Sequence, residues 1–369
     1  MPLPPLVPPG PELSPAEALR VSRQSRLPEV GGLGQRRLAN AKVCVVGAGG
    51  LGSPAILYLA AAGVGTIGIV DDDVVEPTNL QRQVAHGTAA LGRSKAWSAA
   101  ERARELNPAV DVRSHELRLD AGNARDVLSG YDLVLDGSDT FDTRAVIDGA
   151  CASLGIPVVW AAVLGFHAQV TVFWADPPLG AGVRQSDVFG SPGDDGASCE
   201  TAGVFGPLCG QVGSIMAGEA VKLITGIGEP LLGRLLDIDA RTWRQREVRL
   251  RPVPAQSAPV GPATETAAGR ARVPRVTADV LRAMLSEPAP PVVLDVREPY
   301  EHASGTIPGA LRVPLADVLS GERRGIPDGR PIVVYCLRHA RAEAAAQALV
   351  ADGYPVSVLD GGMHAWATA

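Results

Sequence analysis

The sequence predicts an α/β protein of two units, a larger one with a mostly parallel sheet and a smaller one behind a linker. From Lys42 onward, short apolar runs alternate with helical patterns, which favours strands joined by crossover helices. Residues 252–275 lose nearly all large apolar side chains, as linkers do. The 42 glycines and 31 prolines indicate many turns and argue against a helical bundle.

The elements of the larger unit follow in order along the chain. Seven apolar runs predict strands, and most segments between them have the periodicity of helices. One exception is the polar, glycine-rich excursion over 176–198, since such long loops are usually functional or disordered. The predicted strands are CVVG, TIGIV, VDVR, DLVLD, PVVWAAV, QVTVFW and RLLDID, and the predicted helices span 53–62, 94–106, 121–128, 141–154 and 211–225.

Composition sets the domain boundaries. The proline-rich residues 1–17 are expected to form a disordered lead-in, 18–251 the larger domain, 252–275 a flexible linker and 276–369 the smaller domain. The smaller domain repeats the alternation, with PVVLDV, RPIVVYC and VSVLD as strands and a helix over 341–352. A second α/β unit is therefore expected.

Charge and cysteine content exclude several function classes. The net charge is −6, from 34 basic and 40 acidic side chains, and no basic block indicates nucleic-acid binding. Residues 1–15 lack the charged and apolar regions of a signal peptide, so no secretion is expected. The least polar stretch, 43–70, is broken by glycines and a proline, so no membrane span is expected. The odd number of cysteines and the lack of a CxxC pair predict reduced thiols in the cytoplasm. The cysteines are Cys44, Cys151, Cys199, Cys209 and Cys336.

The first strand ends in a glycine-rich turn of the kind that binds phosphate. Gly47, Gly49, Gly50 and Gly52 leave the backbone open to a phosphate, and the following helix N-terminus supplies N–H groups and a positive dipole. TIGIV then ends at Asp71, where a carboxylate would meet a ribose hydroxyl. Dinucleotide oxidoreductases share this pattern, so the turn predicts a nucleotide site without specifying the reaction.

The next motifs carry a family resemblance. They are DDDVVEPTNLQRQ over 71–83, GRSKA with Lys95, and LVLDGSDT with Asp139. RVSRQSRLPEVGGLGQRRL precedes the first strand, and CETAGVFGPLCGQVGSIMAGEAVKLI follows the long loop. With these motifs in order, residues 18–250 resemble the ubiquitin-activating-type adenylyltransferases of the HesA/MoeB/ThiF family. The resemblance implies a Rossmann-like adenylation domain that uses ATP to activate sulfur-carrier and ubiquitin-like proteins, as a homodimer.

The resemblance also implies the nucleotide contacts. Adenylyl transfer to a carboxylate brings two anions together, so cations are needed at the phosphates, and Arg82 and Lys95 fit that need. Asp139 is expected to hold Mg²⁺ directly or through water. By the same resemblance, Arg23 reaches the ATP of the opposite subunit. The remaining expected contacts are Thr78, Asn79, Leu80, Gln81 and Thr140, besides the four glycines and Asp71.

The chain departs from the family pattern at a zinc site and at Thr140. Many relatives carry paired CxxC motifs for a structural zinc near 176–185 and near 252. Neither stretch contains Cys or His here, so no zinc is expected. Thr140 stands where relatives usually have asparagine. Cys199 lies where the family carries a cysteine that faces the adenylate, and it is interpreted either as a nucleophile or as a buried small hydrophobe.

The smaller unit resembles a single rhodanese domain over almost its whole length. The resemblance rests on VVLDVREPYEHASGTIPGALRVPL, VVYCLRHARAEAAAQALV and LDGGMHAW. Cys336 ends a strand and Arg341 opens a helix, so loop N–H groups and the arginine can stabilise a thiolate or persulfide. The four intervening residues match sulfurtransferases rather than rhodanese-fold phosphatases, and His339 replaces the usual glycine. A catalytically silent docking domain is the alternative.

Together, the two resemblances predict a bifunctional adenylyltransferase and sulfurtransferase, similar to activators of the molybdopterin-synthase sulfur carrier. ATP adenylates the C-terminal Gly-Gly of a small ubiquitin-like carrier, and a persulfide on Cys336, loaded by a donor such as a cysteine desulfurase, leads to a thiocarboxylate. The pathway stays open among molybdenum cofactor, thiamine, cysteine and tRNA thiolation. The alternatives are an NAD(P)-dependent oxidoreductase fused to a rhodanese-like docking module, and a non-catalytic scaffold.

Overall fold

The computed structural model confirms the predicted α/β fold. The chain divides into two compact units, residues 1–258 and 259–369, each with its own sheet. The structure describes residues 3–189, 203–250, 273–297, 299–321, 325–327, 329–337 and 340–368. Cys199, His339 and most of the predicted linker lie outside these residues.

The first unit contains an eight-stranded sheet in the order β3-β2-β1-β4-β5-β6-β7-β8. The first five strands in this order are parallel, and β6, β7 and β8 are each antiparallel to the strand before them. The mostly parallel sheet is therefore confirmed. The strands are β1 Lys42–Val46, β2 Thr66–Val70, β3 Asp111–His115, β4 Leu133–Asp136, β5 Val158–Leu164, β6 His167–Phe173, β7 Arg234–Asp239 and β8 Arg244–Arg249.

Three predicted helices, α3, α4 and α6, lie within one residue of their expected bounds. The last helix, α8, begins five residues earlier than expected, because Pro207 is tolerated in a first helical turn. The glycine-rich α2 and the wholly exposed β8 had no apolar pattern to predict them. The helices are α1 Pro15–Arg20, α2 Gly31–Asn40, α3 Gly52–Ala62, α4 Lys95–Leu106, α5 Ala124–Leu128, α6 Phe141–Leu154, α7 Gln185–Phe189 and α8 Gly206–Thr225.

Helices cover both faces of the parallel strands. Alternate residues of β1 point to opposite faces: Val43 and Val45 join the core formed with α3, α4 and α8, whereas Cys44 and Val46 join the core formed with α5 and α6. Burial raises the pKa of the Cys44 thiol far above its usual range. Cys44 therefore packs as a small hydrophobe.

The proline-rich N-terminus corrects the expectation of a disordered lead-in. Leu3 and Val7 are buried in the core of the first unit. The Leu6 N–H donates to the Leu223 carbonyl at 3.0 Å, and the Arg36 side chain donates to the Gly10 carbonyl at 2.8 Å. An extended segment rich in proline leaves few N–H groups to satisfy, so two apolar anchors and a few backbone bonds hold it against α2 and α8.

The second unit is a five-stranded parallel sheet in the order β11-β10-β12-β13-β9. Its first strand begins at Arg275, the last residue of the predicted linker. No helix among the described residues is long and apolar enough to cross a membrane. The elements are β9 Arg275–Val276, α9 Ala278–Leu285, β10 Val292–Asp295, β11 Leu311–Arg312, α10 Leu315–Leu319, β12 Ile332–Tyr335, α11 Ala340–Ala351, β13 Val356–Leu359 and α12 Gly362–Thr368.

Candidate active sites

The glycine turn lies where the strand order of the first sheet reverses, between β1 and β4. Parallel sheets bind ligands at this kind of crevice, at the carboxyl ends of the strands. Gly47 has a φ of 89°, and a Cβ there would lie 2.8 Å from the Gly137 carbonyl oxygen. A Cβ on Gly52 would overlap the Gly47 carbonyl. The turn can therefore close only with glycine at these two positions, and it leads directly into the N-terminus of α3.

Two alanine variants separate folding of the turn from ligand contact. Gly52→Ala is expected to lower the thermal stability of the first unit and to abolish ATP binding, because its Cβ overlaps backbone. Gly49→Ala is the matched control for folding, since the nearest neighbour of its Cβ is the Gln83 amide nitrogen at 3.7 Å. We expect Gly49→Ala to keep its melting temperature but to weaken ATP binding, because the methyl group meets the phosphate. Equal melting temperatures for Gly52→Ala and wild type would contradict this.

Asp71 follows β2 and fixes the glycine turn. Its carboxylate accepts from the Ala48 N–H at 2.7 Å and from the Asp73 N–H at 2.9 Å. Burial raises the pKa of Asp71. Each carboxylate oxygen keeps a second lone pair, so a ribose contact by Asp71 stays a prediction that is compatible with this geometry.

The segment after Asp71 places the predicted arginine beside the glycine turn. Glu76 N–H donates to the Asn79 side chain at 3.0 Å, which orders a 3₁₀ turn over Pro77–Asn79. Arg82 donates to the Thr78 carbonyl at 3.1 Å. A Cβ built on Gly50 would lie 3.5 Å from the Arg82 side chain. Thr78 and Gln81 are exposed, whereas Leu80 is half-buried.

Lys95 is the first residue of α4 and is largely buried. Its ammonium donates to the Asp73 carboxylate at 3.0 Å, and its N–H donates to the Asp73 carbonyl at 2.9 Å. The Lys95 side chain is 9% exposed, whereas that of Asp73 is 71% exposed. A solvated partner binds weakly, so a phosphate oxygen can replace the Asp73 carboxylate at this ammonium.

Two residues that the sequence reading did not select determine the position of Asp139. The fully buried Asp136 carboxylate accepts from the Ser138 N–H at 3.0 Å and from its hydroxyl at 2.6 Å. Arg144 donates to the Ser138 carbonyl at 2.8 Å. Asp139 is exposed beyond this turn, and Thr140 caps α6 by accepting from the Thr143 N–H. The sequence signal was present in the DGSD run but could equally indicate a surface turn.

His86 is a further residue that the sequence did not reveal. Its Nε2 lies 2.9 Å from the Ala48 carbonyl oxygen, and its Nδ1 lies 3.0 Å from the Ser98 hydroxyl. His86 is buried, and burial lowers its pKa, as does the nearby Lys95, whereas the Ala48 hydrogen bond acts the other way. A single histidine in QVAHG carries no pattern, so only the fold identifies it.

The lowered pKa of His86 predicts a pH-dependent stability. The folded protein keeps the ring neutral to a lower pH than the unfolded chain, which protonates it near the ordinary value of 6.5. The unfolded state therefore binds more protons below that pH, and the free energy of unfolding is expected to fall as pH drops below about 6.5. Denaturant unfolding followed by tryptophan fluorescence at several pH values measures this. His86→Gln should flatten the slope, and an unchanged slope would contradict the assignment.

Of the two stretches expected to bind no zinc, the one over 176–185 is described, whereas the one near 252 lies outside the described residues. Val183 pairs with Trp174, and Arg184 donates to the buried Asp148 carboxylate at 2.9 Å. Among the described residues, no group of three or more His, Cys, Asp or Glu side chains could hold a metal ion.

Arg23, which is expected to reach the ATP of the opposite subunit, is exposed in the turns after α1.

In the second unit, Cys336 directly follows β12 and is 2% exposed. Arg341, in the first turn of α11, forms a two-pronged ion pair with Glu301 at 2.5 and 2.7 Å. This pairing partly balances the positive charge that the sequence assigns to the Cys336 loop.

A buried charge network supports this loop. Arg297 and Asp295 are fully buried and form a bidentate pair, with the shortest N···O distance 2.8 Å. Tyr335, which precedes Cys336 in the sequence, donates its hydroxyl to Asp295 at 2.7 Å and accepts from the Ile307 N–H at 3.1 Å. Buried hydrogen bonds of Tyr335 therefore hold the end of β12, the strand that Cys336 follows.

Comparison with known proteins assigns both units to families. Residues 21–259 match the ThiF family, and residues 277–369 match the rhodanese-like domain. The chain is 45% identical to the probable adenylyltransferase/sulfurtransferase MoeZ of Mycobacterium tuberculosis, over 99% of this chain and 96% of that protein. It is 47% identical to the sulfur carrier protein adenylyltransferase of Thermus thermophilus, over 63% of this chain and 88% of that protein. The crystal structure of PaaA has a TM-score of 0.56 at 25% identity, covering 65% of this chain and 76% of that chain.

Proposed function

The chain belongs to the ThiF family and carries a rhodanese-like domain, and on this basis we propose that it is a sulfur-carrier adenylyltransferase and sulfurtransferase. It uses ATP to adenylate the C-terminal glycine of a small ubiquitin-like protein and then replaces the adenylate with sulfur. The names of the two relatives support this reaction, and they do not favour the oxidoreductase alternative. One observation carries the proposal. A glycine turn that packs against its own backbone lies beside the cations Arg82 and Lys95, and the same chain has the Cys336 thiol at the end of a strand.

Adenylation begins with ATP in the glycine turn. Backbone N–H groups and the N-terminus of α3 bind phosphate oxygens, and Arg82 and Lys95 reduce the repulsion between the triphosphate and the incoming carboxylate. The carrier carboxylate attacks the α-phosphorus, and pyrophosphate leaves. Arg23 completes the site of the opposite subunit in a homodimer, and Asn79 and Thr140 contribute through the turns that they order.

Mg²⁺ is part of the proposed site. One exposed carboxylate at a strand end suits this ion, which usually binds through one or two carboxylates, waters and substrate phosphates. Asp139 has this position, because Asp136 and Arg144 hold the preceding turn. Bound there, the ion would balance negative charge on the triphosphate.

Sulfur transfer uses Cys336. A persulfide donor, such as a cysteine desulfurase, loads one sulfur onto this thiol. The terminal persulfide sulfur attacks the carrier's acyl-adenylate carbonyl, AMP leaves, and an acyl disulfide joins carrier and Cys336. A second thiol then attacks the Cys336 sulfur and releases the carrier thiocarboxylate, leaving a protein disulfide that a cellular thiol reduces. Cys199 is our proposal for that second thiol.

Carrier-dependent exchange tests the first reaction. The full chain with Mg²⁺ is expected to exchange label between labelled pyrophosphate and ATP only when a carrier that ends in Gly-Gly is present. The same carrier without its last two residues is the control. Exchange that needs no carrier, or tight NAD(P)H binding without ATP binding, would contradict the proposal.

A further inference from the structure

We propose that His86 is a positioning residue for adenylation, which ties the glycine turn to the helix that carries Lys95. This inference rests on the proposed function, because it assigns a role within the same nucleotide site. His86 lies after the 3₁₀ turn and reaches two other segments, Ala48 in the glycine turn and Ser98 in α4. All three residues are buried.

The hydrogen bonds determine the tautomer of the ring. The Ala48 carbonyl can only accept, so His86 Nε2 carries the hydrogen and donates to it at 2.9 Å. A neutral ring then has Nδ1 as an acceptor, and the Ser98 hydroxyl donates to it at 3.0 Å. The ring is therefore a directional link between the two segments.

Ala48 is held through both of its backbone polar groups. Its N–H donates to the Asp71 carboxylate at 2.7 Å, and its carbonyl accepts from His86 and from the Ser53 hydroxyl, the latter at 3.0 Å. Ser53 belongs to α3, which directly follows the turn. His86 therefore provides the contact that ties Ala48 to a separate segment of the chain. The neighbouring N–H groups of the turn thereby keep a fixed direction.

The other end of the link controls where the ammonium of Lys95 lies. Ser98 is three residues after Lys95, so the two side chains leave neighbouring positions on one face of α4. Holding Ser98 fixes the first turn of that helix against the glycine turn. The phosphate must touch both the turn and Lys95, so their spacing determines how well ATP binds.

The chain offers a matched control at the far end of the same helix. Asn107 caps the C-terminus of α4 and donates to the Ala60 carbonyl of α3 at 2.9 Å, and it is also buried. Asn107→Leu removes a buried side-chain link between α3 and α4 away from the nucleotide. A purely structural role for His86 would make His86→Leu behave like this control.

The test measures the KM for ATP and the KM for the carrier in pyrophosphate exchange, together with the melting temperature of the full chain. We expect His86→Leu to raise the KM for ATP about ten-fold, the effect of losing one buried hydrogen-bonded link. The carrier KM should stay unchanged. His86→Gln, which can still donate to Ala48, should restore most of the ATP KM, and Asn107→Leu should lower the melting temperature without changing that KM.

Two results would overturn the inference: an unchanged ATP KM in His86→Leu, or an equal rise in Asn107→Leu. If His86→Leu does not fold, Ser98→Ala provides the test instead, because it removes only a hydroxyl. It is expected to raise the KM for ATP by a smaller factor. Wild-type protein without carrier-dependent exchange would instead refute the proposed function, so the two failures are distinguishable.

Discussion

Cys336→Ala is expected to abolish thiocarboxylate formation while leaving carrier-dependent pyrophosphate exchange within about two-fold of wild type, because the two reactions use different residues. The cysteine follows a strand of the second unit, whereas the glycine turn and Lys95 belong to the first. Adenylation uses none of the atoms of Cys336. Sulfur transfer requires its thiol, because alanine cannot carry a persulfide.

Cys151→Ala is the matched control for this variant. Cys151 is as buried as Cys336 but lies in α6, and burial raises its pKa far above the usual range. A thiol in that environment is inert. We therefore expect both reactions to persist in Cys151→Ala. Loss of exchange in a folded Cys336→Ala protein would contradict the division of labour between the two units.

Lys95→Met is expected to reduce exchange by a factor of about 10² to 10³, the size of effect seen when one charge-stabilising donor is removed from an active site. Methionine keeps most of the side-chain volume in this buried position and removes only the cation. The reduction should appear in kcat as well as in the KM for ATP, because the charge is needed most when the carrier carboxylate reaches the phosphorus.

Lys222→Met serves as the control for losing a lysine from the first unit. The Lys222 ammonium donates to the Glu229 carbonyl at 2.9 Å and pairs with Glu219, so it also has protein partners in a partly buried setting. It lies in the last turn of α8, away from the start of that helix. Comparable losses of exchange in both variants would show that Lys95 acts through stability alone.

Much of the fold could be predicted because its central strands β1, β2 and β4 are buried on both faces. Apolar runs such as TIGIV, which forms the fully buried β2, are typical of the central strands of parallel sheets. The N-terminal segment and β8 could not be predicted in this way. The segment is held by two apolar residues, Leu3 and Val7, and a few backbone bonds, while β8 is an exposed edge strand whose pairing depends on β7.

The residues of the candidate site also differ in how far the sequence alone could identify them. Gly47 and Gly52 were recognisable because their backbone positions admit only glycine, and Asp71 was recognisable because it ends the second strand at the spacing of a nucleotide site. His86 and Glu301 were not recognisable. Each acts through a partner distant in the sequence, Ala48 and Arg341 respectively, and single polar residues give no periodicity from which such contacts can be inferred.

The proposed function is tested most directly by the intact mass of a carrier after incubation with the full chain, ATP, Mg²⁺ and a persulfide donor. We expect the carrier to gain the mass difference of one sulfur replacing one oxygen, the gain to require ATP, and Cys336→Ala to prevent it. A carrier that gains this mass without ATP, or with Cys336→Ala, would contradict the proposed function.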